Sequence, residues 1–213
     1  MTGRIHSFQS LGTADGPGVR AVVFMQGCPL RCACCHNPDT WDFNGGTKVT
    51  AEEIFVKIKR FKNYFGKDGG VTASGGEPLM QPEFLKELFT LCKTDGITTA
   101  IDTSGCILND SVKELLKLTD TVLLDYKYIT DELYEARVGC EKIKVDKFLE
   151  YLNSQNIDTW IRQVIIKDLN NNEASVKALK ELQEKYSCVK KIELLPFKKL
   201  CLEKYEKLNI QFP

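Results

Sequence analysis

The chain has 213 residues, 43% of them hydrophobic, and its 29 basic residues equal its 29 acidic ones in number. This size and composition predict one globular domain, residues 1–213, and the zero net charge gives no general attraction to nucleic acid or to an anionic membrane. Because the chain lacks a signal-peptide pattern and an apolar run of membrane-spanning length, we expect a cytoplasmic protein, and we expect it to be a monomer.

Apolar segments alternate along the chain with amphipathic ones. A glycine-rich, loop-forming region, residues 1–19, precedes the first expected strand, Arg20–Met25. The first expected helix opens at Thr50, which forms a capping-box pattern with Glu53. Further strands are expected at residues 71–73, 98–101, 121–124, 160–166 and 191–195, and further helices after Pro82, from 110 to 117, around 145–152 and after Asn172.

Strands that alternate with helices and are short and apolar indicate parallel βαβ units. Six units of about 30 residues nearly fill this chain, whereas a closed eight-unit barrel needs roughly 250 residues. We therefore expect an α/β fold, a partial (β/α)6 TIM-like barrel with outer helices, and a doubly wound open sheet is the alternative. The expected core is residues 20–196, and a short tail, residues 197–213, follows it.

Three cysteines stand close together in the segment GCPLRCACCHNPDTWDF. Cys28, Cys32 and Cys35 follow a Cys-x3-Cys-x2-Cys pattern, with Cys34 between the last two. Three thiolates on one loop suit three corners of a [4Fe-4S] cluster and leave its fourth iron without a protein ligand. The alternative is a zinc site completed by His36, although the zinc-ribbon arrangement of a second cysteine pair is absent. The other five cysteines are interpreted as ordinary thiols.

A polar or glycine-containing signature follows or lies within each later expected strand. The carboxyl ends of parallel strands meet at one edge, so these signatures predict a single site there. Taken singly, each could be a turn or a structural ion pair. The signatures are Ser74-Gly75-Gly76-Glu77, Asp102-Thr103-Ser104, Asp125-Tyr126-Lys127, Arg162, and Pro196-Phe197-Lys198.

The order of these segments carries a family resemblance. GTADGPG, the cysteine motif with HNPDTWD, VTASGGEP, DTSG, LLDYK, WIRQVII and KIELLP occur in succession. Together they resemble the radical S-adenosylmethionine (SAM) superfamily and, within it, the family of glycyl-radical-enzyme activators. The resemblance covers the chain from residue 3 to about residue 200.

The resemblance implies a barrel of the radical SAM type and assigns roles to the site residues. Cys28, Cys32 and Cys35 hold a [4Fe-4S] cluster that donates an electron, and its open iron binds the amino and carboxylate groups of SAM. Asp102, Thr103, Asp125 and Tyr126 match a monovalent-cation site, and Asp15 matches a residue near the incoming partner peptide. The implied cofactor-binding residues are Cys34, His36, Gly75, Gly76, Glu77, Asp102, Thr103, Ser104, Asp125, Lys127, Arg162, Val164 and Lys198.

The reaction implied by the resemblance is reductive cleavage of SAM to methionine and a 5′-deoxyadenosyl radical. That radical removes a hydrogen from a glycine Cα of a partner glycyl-radical enzyme, expected to be pyruvate formate-lyase, and reduced flavodoxin or ferredoxin supplies the electron. The sequence departs from the family at Cys34, where a bulky residue is usual, and at Lys198, where a histidine is common. The alternatives are a ribonucleotide-reductase activator, another small radical SAM enzyme, or a non-catalytic zinc module.

Overall fold

One eight-stranded sheet organises residues 1–212, the part of the chain that the computed structural model describes. No helix in that part is both long enough and apolar enough to cross a membrane. The strands are β1 (Thr2–Gly12), β2 (Arg20–Met25), β3 (Thr47–Thr50), β4 (Gly70–Gly75), β5 (Thr98–Thr103), β6 (Thr121–Asp125), β7 (Asp158–Ile165) and β8 (Val189–Pro196). The helices are α1 (Ala51–Lys59), α2 (Pro82–Thr94), α3 (Asp110–Leu116), α4 (Asp131–Arg137), α5 (Lys142–Ser154), α6 (Glu173–Lys185) and α7 (Leu202–Lys207).

The strand order supports a barrel over a doubly wound sheet. The order is β3-β1-β2-β4-β5-β6-β7-β8, and the six strands from β2 to β8 in that order are parallel. Each new parallel strand is added on the same side of the previous one, so right-handed crossovers place every connecting helix on one face. A doubly wound sheet would reverse direction at a switch point. The expected (β/α)6 partial barrel is confirmed, and it is open between β3 and β8.

The two faces of the sheet have different chemistry. On β2, Ala21, Val23 and Met25 join the hydrophobic core under the helices, so the intervening Val22 and Phe24 face the opposite, inner side. The same alternation on later strands turns polar side chains inward near their carboxyl ends. The inner face therefore collects the polar strand ends into one concave region.

The predicted helix ends are confirmed where the sequence contains residues that cap the helix backbone. The hydroxyl of Thr50 accepts a hydrogen bond from the Glu53 amide at 3.2 Å, and the Glu53 carboxylate accepts one from the Thr50 amide at 2.7 Å. The second helix begins at Pro82, and Gly96 after its end adopts a φ of 70°. Proline at a helix start and glycine past its end satisfy the backbone as expected.

The expected N-terminal loop is wrong for residues 2–12. These residues form β1, which pairs antiparallel with both β2 and β3. Strand β1 contains few apolar residues, and side chains on both of its faces are partly exposed. Its sequence therefore shows only a weak strand pattern. Hydrogen bonds to the edge of β2, which would otherwise be unpaired, stabilise this strand. Residues 13–19 do form the expected loop.

The C-terminal tail is also more ordered than expected. Helix α7 occupies residues 202–207 of the tail, and the sequence analysis did not predict it. Six residues are too few for a helix to be stable alone. Tyr205 and Cys201 are buried here, so tertiary packing stabilises this turn. The last tail residue, Pro213, lies outside the described residues.

Candidate active site

A cavity of about 290 Å³ lies at the carboxyl ends of the parallel strands. This is the edge where active sites of parallel α/β folds are found. The structure therefore brings most of the predicted site residues together. The predicted residues that line this cavity are Asp15, Cys28, Cys32, Cys34, Cys35, His36, Gly75, Gly76, Glu77, Asp102, Thr103, Ser104, Asp125, Lys127, Arg162 and Val164.

Two predicted site residues, Tyr126 and Lys198, do not line the cavity. The Tyr126 hydroxyl donates a hydrogen bond to Asp146 at 2.7 Å, and the Tyr126 carbonyl accepts one from Gln163. Lys198 is exposed, and its carbonyl oxygen accepts a hydrogen bond from His36 Nε2 at 2.8 Å. The structure therefore gives no support to the predicted role of Tyr126 at a cation site.

The cysteine loop, residues 26–37, is fixed to the structure around it by backbone hydrogen bonds. The Arg31 amide donates to the Val138 carbonyl at 3.1 Å, and the Ala33 amide donates to the Arg137 carbonyl at 2.8 Å. Helix α4 and the residue after it thus hold the middle of the loop. If three of its cysteines bind a cluster as predicted, the loop needs such support, because ligands must hold their relative positions.

Helix α7 covers the other end of the cysteine loop. The Tyr205 hydroxyl donates to the Cys35 carbonyl at 3.2 Å. The Lys204 ammonium donates to Asn37 Oδ1 at 2.8 Å and to Asp39 Oδ1 at 3.1 Å. These contacts join the end of the chain to the loop that holds the thiols, and the sequence analysis did not predict them.

The thiols of the cysteine loop fit a cluster better than a single metal ion. Burial raises the pKa of Cys28 to about 12 and also raises those of Cys32 and Cys35, so bound metal must displace their protons. Within residues 1–212, no three Cys, His, Asp or Glu side chains converge on a point that one ion could occupy. Cluster ligands bind separate irons and need not converge in this way. His36 Nε2 bonds to the Lys198 carbonyl, which by itself neither supports nor opposes the zinc alternative, because Nδ1 could still bind a metal.

Glu77 links the ends of β4 and β5. Its carboxylate accepts hydrogen bonds from the Leu79 amide at 3.1 Å, the Thr103 hydroxyl at 2.6 Å, and both the amide and the hydroxyl of Ser104. Burial raises the pKa of Glu77, and these hydrogen bonds oppose the rise. Each carboxylate oxygen already has two donors, so the side chain has little capacity left for a ligand.

The glycines before Glu77 are required by close packing. Gly75 adopts a φ of 102°, and a Cβ there would lie 2.5 Å from the Met25 amide nitrogen. A Cβ on Gly76 would lie 2.4 Å from the Gly27 carbonyl oxygen. The paired glycines therefore bring the end of β4 against the start of the cysteine loop.

Asp102 forms the centre of a charged network on the inner face. Its Oδ2 accepts a hydrogen bond from the Ser74 hydroxyl at 2.8 Å and lies 3.3 Å from Arg162 Nη1. Burial raises the pKa of Asp102 to about 6, and Arg162 opposes the rise. Its Oδ1 is buried and has no hydrogen-bond partner within residues 1–212. A buried oxygen without a donor is a candidate ligand for a cation.

Asp125 and Lys127 form a second charged pair beside the cysteine loop. Lys127 Nζ lies 2.7 Å from Asp125 Oδ2, and the lysine side chain is only 12% exposed. Burial acts to lower the pKa of Lys127, but the carboxylate of Asp125 and the neighbouring thiols raise it well above its usual value. The ammonium makes this single hydrogen bond among the described residues and so keeps two donors for a ligand.

The glycine-rich loop lies on the inner face of the sheet and carries Asp15 into the cavity. The Thr72 hydroxyl donates to the Asp15 carbonyl at 2.7 Å. Arg20, only 1% exposed, donates through Nε to Thr72 at 2.7 Å and through Nη1 to the Pro17 carbonyl at 3.0 Å. Burial raises the pKa of Asp15, and Arg162 and Arg20 oppose the rise.

Several lining residues escaped the sequence analysis. Asn37, Thr40 and Trp41 lie inside HNPDTWD, which was already recognised as a motif, so the sequence did contain a signal for them. Phe24 and Leu195 carry no such signal, because an apolar residue in a strand is most often part of the core. The missed lining residues are Phe24, Leu30, Asn37, Thr40, Trp41 and Leu195, whereas Ser74 and Pro196 belong to the predicted strand-end signatures.

Comparisons with known proteins agree with this site. Residues 14–144 match the sequence family described as a 4Fe-4S single cluster domain. The chain is 48% identical over its full 213 residues to the pyruvate formate-lyase-activating enzyme of Clostridium pasteurianum, of which it covers 89%. It is 42% identical over 184 residues to the pyruvate formate-lyase 1-activating enzyme of Escherichia coli (strain K12), covering 85% of this chain and 75% of that protein.

Solved structures have the same fold. Streptococcus suis SuiB, bound to its precursor peptide SuiA, matches 84% of this chain and 39% of SuiB with a TM-score of 0.70 and 17% identity. A domain of pyruvate-formate lyase-activating enzyme from Bacteroides vulgatus ATCC 8482 matches 67% of this chain and 96% of that domain, with a TM-score of 0.56 and 24% identity. At such identities the likeness establishes the fold alone.

The parallel partial barrel, the cavity lined by four cysteines of one loop and the iron–sulfur family match define a radical SAM enzyme. The 48% identity to the Clostridium pasteurianum protein, over all 213 residues of this chain, identifies one family within this class. The chain belongs to the family of pyruvate formate-lyase-activating enzymes. Membership confirms the predicted family and enzyme class, with a [4Fe-4S] cluster and SAM as cofactors, and the contact of each residue with them stays a prediction.

Proposed function

We propose that this chain installs a glycyl radical on a partner enzyme, and that the partner is pyruvate formate-lyase. The main support is that three thiols of one loop line the same cavity as Asp102, Lys127 and the glycine pair after β4. When bound, the cluster would supply one electron to the sulfonium of SAM. The resulting cleavage of SAM would start hydrogen removal from a glycine Cα. The names of the relatives support the same partner.

In this proposal Cys28, Cys32 and Cys35 hold three irons, and the methionine end of SAM lies against the ends of β4 and β6. The saturated carboxylate of Glu77 leaves the backbone carbonyls of its turn to accept hydrogen bonds from the SAM amino group. The two free donors of Lys127 suit the SAM carboxylate.

A monovalent cation is proposed beside that carboxylate. The free Oδ1 of Asp102, the carboxylate of Asp125 and backbone carbonyls nearby are oxygen donors, which hard cations prefer. A cation would also offset the cost of burying the Asp102 charge.

Further parts of the proposal concern access. Asp15 lines the cavity from the glycine-rich loop and is proposed to face the incoming glycine-bearing peptide. A reduced flavodoxin or ferredoxin is proposed as the electron donor. The protein is proposed to act as a single-domain monomer in the cytoplasm.

Anaerobic reconstitution with iron and sulfide tests the proposal. The protein is reduced with photoreduced deazaflavin and incubated with SAM and pyruvate formate-lyase. We expect 5′-deoxyadenosine by chromatography and a glycyl-radical signal by electron spin resonance. A radical that forms on an anaerobic ribonucleotide reductase but not on pyruvate formate-lyase would show that the reductase is the partner. Equimolar zinc and no iron after anaerobic purification would overturn the enzyme proposal.

Two cysteine variants test the ligand assignment. Cys32→Ala should lose bound iron and all SAM cleavage, whereas Cys34→Ala should keep iron at the wild-type level because Cys34 is not assigned as a ligand. The measurements are iron per chain and the cluster absorbance. Loss of iron in the Cys34 variant would contradict the assignment.

A further inference from the structure

The segment that follows the cysteine loop turns the chain back against it. Residues Pro38–Thr40 form a single turn of 3-10 helix. The Gly27 amide donates to the Thr40 carbonyl at 2.8 Å, and the Cys28 amide donates to the Trp41 carbonyl at 3.4 Å. Trp41 is therefore fixed beside the start of the cysteine loop, and it lines the active-site cavity.

Two neighbours hold the indole ring of Trp41 in place. The Arg31 guanidinium lies 4.6 Å from the ring centroid, and the Tyr205 ring packs edge-on with its centroid 6.0 Å away. A cation over the face of an indole is attracted by the electrons of the ring. Arg31 is itself fixed, because its Nη1 donates to the carbonyls of Cys28 at 3.0 Å and Leu30 at 2.8 Å. The ring therefore keeps one orientation against the cysteine loop.

The sulfur of Cys35 receives N–H donors from the loop backbone and from this ring. The Asn37 amide donates to Cys35 Sγ at 3.4 Å. Burial raises the pKa of Cys35, and hydrogen bonds from the Asn37 amide and the Trp41 side chain oppose the rise. A tryptophan side chain has one donor, the indole Nε1–H, so this group faces the sulfur. The pKa of Cys32, by contrast, responds chiefly to burial and to nearby charges.

We infer that Trp41 raises the reduction potential of the cluster through a hydrogen bond from its indole N–H to Cys35 Sγ. This inference rests on the proposed function, which takes Cys35 as the ligand of one iron. Trp41 is thus a positioning residue, because it acts through the ligand sulfur. Hydrogen bonds to the sulfurs are among the factors that set the potential of iron–sulfur clusters.

Charge explains the direction of this effect. Reduction by one electron adds a negative charge to the cluster and its ligand sulfurs. A hydrogen bond strengthens as its acceptor becomes more negative, so the indole N–H stabilises the reduced form more than the oxidised form. Cys35 is half-buried, and a hydrogen bond shielded from water has a larger electrostatic effect. Removal of the N–H should therefore lower the potential, whereas a ring that only fills space would leave it unchanged.

Trp41→Phe removes the N–H and keeps an aromatic ring. Trp160→Phe is the matched control, because Lys191 Nζ lies 4.1 Å from the Trp160 ring centroid and Trp160 does not line the active-site cavity. Midpoint potentials are measured on reconstituted protein without SAM, by redox titration followed with electron spin resonance. In Trp41→Phe the ratio of reduced to oxidised cluster at a fixed potential should fall about tenfold, a shift of about 59 mV to more negative potential. Trp160→Phe should titrate like wild type.

A second variant separates the hydrogen bond from the shape of the ring. Replacement of Trp41 by 3-benzothienylalanine puts a sulfur in place of the indole N–H and keeps both fused rings. Its potential should shift as in Trp41→Phe, and iron per chain should stay at the wild-type level in both variants, because Trp41 is not assigned as a ligand. Resonance Raman spectra give an independent readout. The shift of the iron–sulfur stretching bands on exchange into heavy water should be smaller in both variants than in wild type.

A wild-type potential in Trp41→Phe would overturn the inference. A shift in Trp41→Phe that is absent with 3-benzothienylalanine would show that ring shape sets the potential, and loss of iron from both variants would show that the ring is needed for cluster binding itself. Either result would make the inference wrong. If the potentials shift as expected but wild-type protein forms no 5′-deoxyadenosine from SAM, the proposed function fails and the inference stands. If anaerobic wild-type protein binds zinc and no iron, both fail.

Discussion

The buried pair of Lys127 and Asp125 shows how single residues constrain this site. Each charge is tolerated inside the barrel because the other lies 2.7 Å away. A buried ion pair contributes little net stability when intact, but removal of one partner leaves the other charge uncompensated. The pair is therefore a sensitive point for the stability of the unliganded protein.

Lys127→Met should lower the free energy of unfolding by about 1 to 3 kcal/mol, because the half-buried Asp125, 27% exposed, would lose its cation. Urea denaturation of the cluster-free protein measures this change. Lys113→Met is the matched control, since its partner Asp110 is 98% exposed, and it should have far less effect. An effect of Lys127→Met as small as that of the control would mean that partial burial does not strengthen this ion pair.

Asp102 predicts a pH dependence. Its pKa is raised to about 6, so between about pH 4 and pH 6 the folded state holds a proton that the unfolded state has released. The contribution of this group to stability therefore falls as pH rises through that window and stays low above it.

Asp102→Asn removes that titration. The free energy of unfolding of the variant, minus that of wild type, should rise by roughly 2 to 3 kcal/mol between pH 4 and pH 7. Urea titrations of both proteins across this range provide the measurement. A difference that stays constant with pH would contradict the raised pKa.

At the scale of elements, Arg20 fixes the glycine-rich loop to the sheet. Its guanidinium bonds to the Pro17 carbonyl on the loop and to the carbonyls of Val71, at 2.8 Å, and Thr98 on the strands. Burial lowers the pKa of Arg20 to about 10. A guanidinium has five donors in a planar fork, which suits this role better than a lysine would.

Arg20→Met should destabilise the fold by about 3 kcal/mol or more, because several buried carbonyls would lose their donor. It should also make residues 13–19 susceptible to limited proteolysis, which a general loss of stability would not confine to that loop. Arg60→Met, at an exposed site, serves as the control. Cleavage spread evenly over the chain would argue against a positioning role for Arg20.

Helix α7 shows the limit of local sequence signals at this scale. Nothing in LEKYEK predicts that its tyrosine reaches the cysteine loop, yet Tyr205 also packs edge-on against Trp41, with ring centroids 6.0 Å apart. The helix is stabilised because it packs against the cysteine loop.

At the scale of the whole molecule, the cysteine loop connects distant parts of the chain. It contacts the segment after α4, the end of β4 and helix α7. A cluster that binds only the folded loop should therefore stabilise the entire domain.

Anaerobic reconstitution should raise the melting temperature by about 5 to 10 °C, which corresponds to roughly 3 kcal/mol for a domain of this size. Cys34→Ala should show the same rise and Cys32→Ala none, as followed by scanning calorimetry under anaerobic conditions. A rise of equal size in Cys32→Ala would mean that iron binds elsewhere.

Much of the fold and site followed from the sequence, because their signals are local. The six parallel strands lie where short apolar runs predicted them, and the polar residues at their ends converge because parallel strands share one edge. The spacing of Cys28, Cys32 and Cys35 indicated a cluster for the same reason, since all three predicted ligands lie on one loop.

Other features could not be predicted from the sequence, because they depend on contacts between residues that are far apart in the chain. Strand β1 and helix α7 form on surfaces offered by β2 and by the cysteine loop, and their own patterns are weak. The saturation of Glu77 by Thr103 and Ser104 and the packing of Tyr205 against Trp41 join separate elements. Local periodicity specifies a strand or a helix, but the partners of a charge or an edge are fixed only when the chain has folded.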